Sequence, residues 1–119
     1  MFDRPQAVAE SGQPAWAQWV PRLMRELEML SELPEDWDSY GAQRVSATAR
    51  ERCTDLLTCS ASSGMPRPAL VPTSKGGLQL EWMGEGYYLE VEVFPDGAVV
   101  YVVEQDRKFE QPAWLSLGT

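Results

Sequence analysis

The chain predicts an α+β fold, two N-terminal helices packed on an antiparallel β-meander of three or four strands, and three observations carry that expectation. First, alternation in the second half sends Leu78, Leu80, Trp82, Tyr87, Leu89, Val91 and Val93 to one face of a strand pair and Gln79, Glu81, Tyr88, Glu90, Glu92 and Phe94 to the other. Second, Trp16, Trp19, Val20, Leu23, Leu27 and Leu30 recur at i, i+3, i+4, i+7, i+11 and i+14, the apolar stripe of a helix packed on something. Third, Pro and Gly punctuate the junctions between these patterned stretches. At 119 residues one domain is expected over 1–119, since a chain of this size buries roughly 65% of the surface it exposes unfolded.

In order, residues 1–13 read as a loose N-terminal arm with Pro5, Gly12 and scattered polar residues, and 14–60 as the helical part. Pro21 costs about 3 kcal/mol inside a helix but little in a first turn, so the first helix either begins near Val20 or is kinked there. Pro34 stops it. Leu33–Ala42 is a turn-rich connection, and Ser46 offers an N-cap to a second helix whose Ala49, Cys53, Leu56 and Leu57 share a face up to about Ser60. Residues 61–68 form a Ser/Gly/Pro loop.

The sheet is expected over 68–104. Ala69–Val71, flanked by Pro68 and Pro72, is a short edge strand. A two-residue turn at Gly84-Glu85 sets Trp82 against Tyr87, Leu80 against Leu89 and Leu78 against Val91, with Glu81 facing Tyr88 and Gln79 facing Glu90. Phe94-Pro-Asp-Gly97 fits a type I turn followed by a glycine bulge. The strand Ala98–Glu104 is apolar on both sides, so one of its rows must lie beside Glu90, Glu92 and Phe94. Residues 105–119 form a tail whose Trp114 and Leu115 could fold over that row.

Composition narrows the function. With 44% hydrophobic residues, 24% charged and five Trp, the chain is a folded globule and no acidic disordered tail. A formal net charge of −8 and a pI near 4.4 argue against direct binding of nucleic acid or anionic membrane, and favour a basic partner. No run approaches the ~20 apolar residues of a membrane span, and the start lacks the pattern of a signal peptide, so a cytoplasmic location is expected. Cys53 and Cys59, six apart on one helix, are separated by about 240° and ~9 Å of rise, too far for a disulfide, and read as reduced.

Much chemistry is absent. There is no histidine, which removes Ser-His and Cys-His pairs, histidine bases and most zinc sites. No glycine-rich phosphate loop occurs. Asp36-Trp-Asp38-Ser-Tyr40-Gly41 begins like a calcium loop, but position 5 would be Tyr40 and position 12 Ala47, where a bidentate glutamate is needed. The segment reads as structural, with Trp37 and Tyr40 in the core and Asp or Ser side chains holding local N–H groups. The other reading makes it a recognition loop. Glu90 and Glu92 satisfy a paired-carboxylate distance only as any i, i+2 pair does, on an open sheet. Cys53 has no basic neighbour to activate it. The chain is therefore read as a non-enzyme with no cofactor or metal.

From Gly76 to Asp106 the chain carries Glu81, Glu85, Glu90, Glu92, Asp96, Glu104 and Asp106 and neither Lys nor Arg. Charge on a wet strand face is ordinary and discourages aggregation, which is the plain reading. The absence of every cation nevertheless forgoes cross-strand ion pairs worth about 0.2–1 kcal/mol each and leaves like charges to repel, which a cationic partner would relieve. The candidate partner-binding residues are Glu81, Glu90 and Glu92 as acceptors for Arg or Lys, Tyr88, Phe94 and Trp37 as aromatic anchors, and Asp38 beside Trp37.

Leu33-Pro-x-x-Trp-Asp-Ser-Tyr-Gly-Ala42, followed by a helix, Pro-x-Leu-Val-Pro72, Gly-Gly-Leu-x-Leu-Glu-Trp82, Tyr-Leu-Glu-Val-Glu-Val93 and Asp96-Gly97, resembles a group of small uncharacterised bacterial and phage proteins over about Leu33–Val103. The resemblance implies a phage or mobile-element context and supplies no catalytic residue. In size and charge the chain is also similar to stoichiometric inhibitors such as anti-CRISPR proteins and antitoxins. The expected function is thus an acidic inhibitor that masks a basic, even nucleic-acid-binding, surface of another protein. One alternative is a homodimer built on Val100, Val102, Trp114 and Leu115 with a solubilising acidic surface; the other, with least support, is a carboxylate enzyme.

Overall fold

A computed structural model of the chain describes residues 18–105, and the expectations placed on the arm 1–13, on Trp16 and on the tail beyond Gln105 lie outside the described residues. Two helices are followed by a four-stranded antiparallel sheet, the α+β arrangement the sequence predicts. Helix α1 spans Trp19–Ser31 and buries Leu23 and Leu27. Pro21 sits in its first turn, where the backbone N–H it lacks would have no intrahelical partner, so no kink is required.

Helix α2 spans Ala47–Ser62 and buries Ala49, Cys53, Leu56, Leu57, Ser60 and Ala61. Ser46 caps it: its Oγ accepts from the Ala49 N–H at 2.9 Å and donates to the Pro95 carbonyl at 2.7 Å. The Ser46 N–H donates to the Gly76 carbonyl at 3.0 Å. One small residue therefore starts the helix and ties it to two turns of the sheet. Both cysteines are free, Cys53 buried and Cys59 half-buried, and burial pushes the Cys53 thiol up to about 12, which keeps it protonated and inert.

The connection between the helices departs from expectation. Tyr40, read as a core residue, is 92% exposed, and Trp37 is only half-buried; Ala42 and Val45 fill the core instead. The reason is the path of the backbone: Asp36 and Ser39 take left-handed φ of 63° and 66°, and Gly41 one of 86°, so the chain reverses within six residues and throws Tyr40 outward. Carboxylates stabilise that path as anticipated. Asp38 Oδ1 accepts from the N–H groups of Tyr40 (2.8 Å) and Ala42 (3.0 Å), Asp36 Oδ1 from Gly41 (2.6 Å), and Glu35 Oε2 from Arg44 (2.6 Å).

Strands β1 (Ala69–Pro72), β2 (Leu78–Gly84), β3 (Tyr87–Val93) and β4 (Val99–Gln105) pair in the order β1-β2-β3-β4. The β3–β4 turn is the expected one: Gly97 has φ 92°, its N–H donates to the Phe94 carbonyl at 2.9 Å, and the Phe94 N–H donates to Ala98 O at 2.8 Å. The β2–β3 turn is not. It lies at Glu85-Gly86, one residue later than Gly84-Glu85, because the second turn position needs a left-handed φ, which Gly86 adopts at 81°. Trp82 consequently pairs with Leu89, Leu80 with Val91 and Leu78 with Val93, a two-residue shift that leaves every side chain on its expected face.

That face is the core. Leu78, Leu80, Trp82, Leu89, Val91, Val93 and Val99 are buried together with the inner faces of α1 and α2, and Tyr87, Tyr101 and Val103 pack at the margin. The indole of Trp82 is 1% exposed and its N–H donates to the Pro66 carbonyl at 2.8 Å. The backbone of helix α1 lies closest to β1 and that of α2 closest to β2 and β3, while β4 joins the same core through Val99, Tyr101 and Val103. No helix among the described residues is long and apolar enough to cross a membrane.

Candidate partner-binding face

With the helices on one side, the other side of the sheet is set out by register alone. Three rows cross the strands: Met83, Tyr88 and Glu104; Ala69, Glu81, Glu90 and Val102; Val71, Gln79, Glu92 and Val100. The corrected hairpin matters here. It places Glu81 directly opposite Glu90, where the sequence had suggested Tyr88, and Glu92 opposite Gln79. Directly opposed side chains have Cβ atoms about 5 Å apart, a spacing at which like charges destabilise a sheet.

Among the described residues, neutral donors hold two of these carboxylates. The Tyr88 hydroxyl donates to Glu90 Oε1 at 2.6 Å, and the Gln79 amide donates to Glu81 Oε2. Each acid keeps a second oxygen for another donor. No Lys or Arg stands at any outward position of these rows. Glu81, Tyr88, Glu90 and Glu92 are half-buried by their neighbours, while Met83 (74%), Val100 (50%), Val102 (51%) and Val71 (41%) are the exposed apolar rim around them.

The hydrogen bond to Glu90, followed by partial burial and the charges of Glu81, Glu90 and Glu104, pushes the Tyr88 phenol up from 10.0 to about 12. A phenol that is a weaker acid folded than unfolded contributes stability that is complete below about pH 10 and is lost as pH rises through about 12. In a difference titration against Tyr88→Phe, phenolate absorbance from Tyr88 is expected only near pH 12. Glu90→Gln should bring it back toward 10, and an unchanged titration would remove Glu90 as the main cause.

Of the residues singled out from sequence, Glu81, Tyr88, Glu90 and Glu92 come together on this face. Phe94 lies one residue past the end of β3 at Val93, in the turn whose Pro95 carbonyl accepts from Ser46. Trp37 and Asp38 belong elsewhere, on the connection that runs beside the β1–β2 turn through the Gln43 N–H to Ser74 O bond. Their polar atoms are engaged there: the Trp37 indole donates to Gln43 O at 3.2 Å, and Asp38 serves the loop. Val71, Met83 and Glu104 are the face residues that the sequence reading did not single out; the same period-two count that found Glu90 reaches each of them once the strand pairing is known. Compared with family models, with curated proteins and with solved structures, the chain matches none.

Proposed function

We propose that this chain is a non-enzymatic binding protein whose outer sheet face occupies a basic surface of a partner protein, including one that otherwise holds nucleic acid. The observation that carries this reading is the in-register pair Glu81 and Glu90, each holding a neutral donor, joined by Glu92 and Glu104 and rimmed by exposed valine and methionine. Like charges on directly opposed strand residues, whose Cβ atoms are about 5 Å apart, repel and destabilise the pairing. An arginine or lysine placed over them replaces that repulsion with charge-assisted hydrogen bonds. The acids steer encounter, and the apolar rim supplies contacts that leave water and slow release.

Competitive masking of this kind suits a stoichiometric inhibitor of the phage anti-defence, anti-CRISPR or antitoxin type acting in the cytoplasm, and it requires no cofactor or metal. The experiment is affinity capture from the host at 0.05 and 0.5 M salt, with wild-type and Glu90→Lys/Glu92→Lys chains side by side. A basic protein held by wild type, released by salt and absent from the variant supports masking. Capture that is equal for both chains refutes it.

A further inference from the structure

The two edges of the sheet are built differently. Strand β1 is four residues long, follows Pro68 and ends in Pro72, so that edge is poor in donors and resists extension. Strand β4 is seven residues long, reads Val-Val-Tyr-Val-Val-Glu-Gln, contains no Pro, Gly, Lys or Arg, and has β3 as its sole neighbour among the described strands. Because the Phe94 N–H bonds Ala98 O, the antiparallel ladder alternates so that Val100, Val102 and Glu104 exchange hydrogen bonds with β3. Val99 and Val103 therefore turn their N–H and C=O groups toward the edge. The backbones of the described helices lie closest to β1, β2 and β3, so β4 forms the margin of the helical layer.

We infer that β4 pairs antiparallel with β4 of a second copy, joining two sheets into one of eight strands about a two-fold axis. Val99 then pairs with the partner's Val103, Val100 with the partner's Val102, and Glu104 with the partner's Ala98. This register is selected by side chains. It gathers both copies' Val100 and Val102, each half-exposed in one chain, into a single apolar seam and sets no acid opposite another. Sliding by two residues one way opposes Val100 to the partner's Glu104, sliding the other way opposes Glu104 to the partner's Asp96, and a one-residue slip turns the valines to the wrong side. The acidic rows of both copies then flank the seam on one continuous surface.

Analytical ultracentrifugation from 1 to 100 µM tests this. A dimer is expected, tighter in 0.5 M than in 0.05 M salt because each copy carries −8, a salt response opposite to that of capturing a basic partner, so the two readings fail independently. Val102→Glu should weaken dimerisation at least tenfold. The double variant Val100→Lys/Val102→Glu, which in this register alone opposes unlike charges across the joint without opposing any like pair, should restore it. A chain that stays monomeric at 100 µM overturns the proposal, whether its Val99 and Val103 amides exchange fast, as on a bare edge, or slowly, as under its own residues 106–119. A dimer indifferent to Val102→Glu overturns it as well.

Discussion

A chain carrying Glu90→Lys and Glu92→Lys is expected to fold, to melt no lower than wild type, and to bind its basic partner more than 100-fold more weakly. The stability half follows from the register. Lys at position 90 would face Glu81, turning a directly opposed like-charge pair into an opposite-charge pair worth about 0.2–1 kcal/mol. Against that gain stands the bond from the Tyr88 hydroxyl to Glu90, which in a partly exposed position the hydroxyl exchanges for water. Position 92 faces Gln79 and Val100, neither of which objects to a cation. Binding responds in the other direction. Close charge pairs across interfaces couple by roughly 1.5–7 kcal/mol each, so the loss of two, with repulsion added, exceeds the 2.7 kcal/mol or so that corresponds to 100-fold. Stability and binding that fell together would show these glutamates to be structural.

Trp82→Ala is the substitution expected to damage the fold most. The indole lies on the sheet's inner face, is 1% exposed, and is the largest of the fully buried side chains. Truncating it removes apolar contacts, leaves a cavity, and strands the Pro66 carbonyl without its donor, for a loss of about 3–5 kcal/mol. Domains of this size have about 5–15 kcal/mol in all, so a large fraction of stability goes with one residue. Urea unfolding followed by circular dichroism should show the midpoint fall sharply, while Trp82→Phe, which keeps most of the volume and loses the N–H, should fall by much less. A loss under about 1 kcal/mol for Trp82→Ala would contradict the core assigned here.

The distance between what sequence patterning conveys and what the fold adds is clearest at these residues. Period two assigned Trp82, Leu80 and Val91 to the core and Glu81, Glu90 and Glu92 to the opposite face, because a strand's alternation survives any register shift by an even number. The same property hid which residue faces which. The choice between Gly84-Glu85 and Glu85-Gly86 as the turn depends on which glycine takes the left-handed φ, a difference that composition does not express. That choice decides whether Glu81 meets Tyr88 or Glu90, and with it the charge pair on which the functional reading leans.

The connection Leu33–Ala42 was harder for another reason. Two aromatics beside a turn usually anchor it, and Trp37 does so in part, but the left-handed Asp36 and Ser39 reverse the chain locally and leave Tyr40 in solvent. Nothing in residue type alone marks Asp36 or Ser39 for that conformation, although Asp tolerates it better than most residues. Helix α2, in contrast, was legible at its start because Ser46 is a cap by chemistry, and the position of Pro21 was consistent with a first turn. The placement of the helices closest to β1, β2 and β3, with β4 at their margin, is a matter of tertiary packing that no local pattern encodes.

The central claim is that Glu81, Glu90 and Glu92 present carboxylates to solvent on the side of the sheet away from the helices and receive positive charge there. Carbodiimide footprinting of the full chain, read residue by residue by mass spectrometry, addresses it directly. Labelling of all three glutamates in the free protein, suppressed when the captured basic partner is added, is the predicted result. Glutamates that stay unlabelled in the free protein, or that label equally with the partner bound, would contradict it.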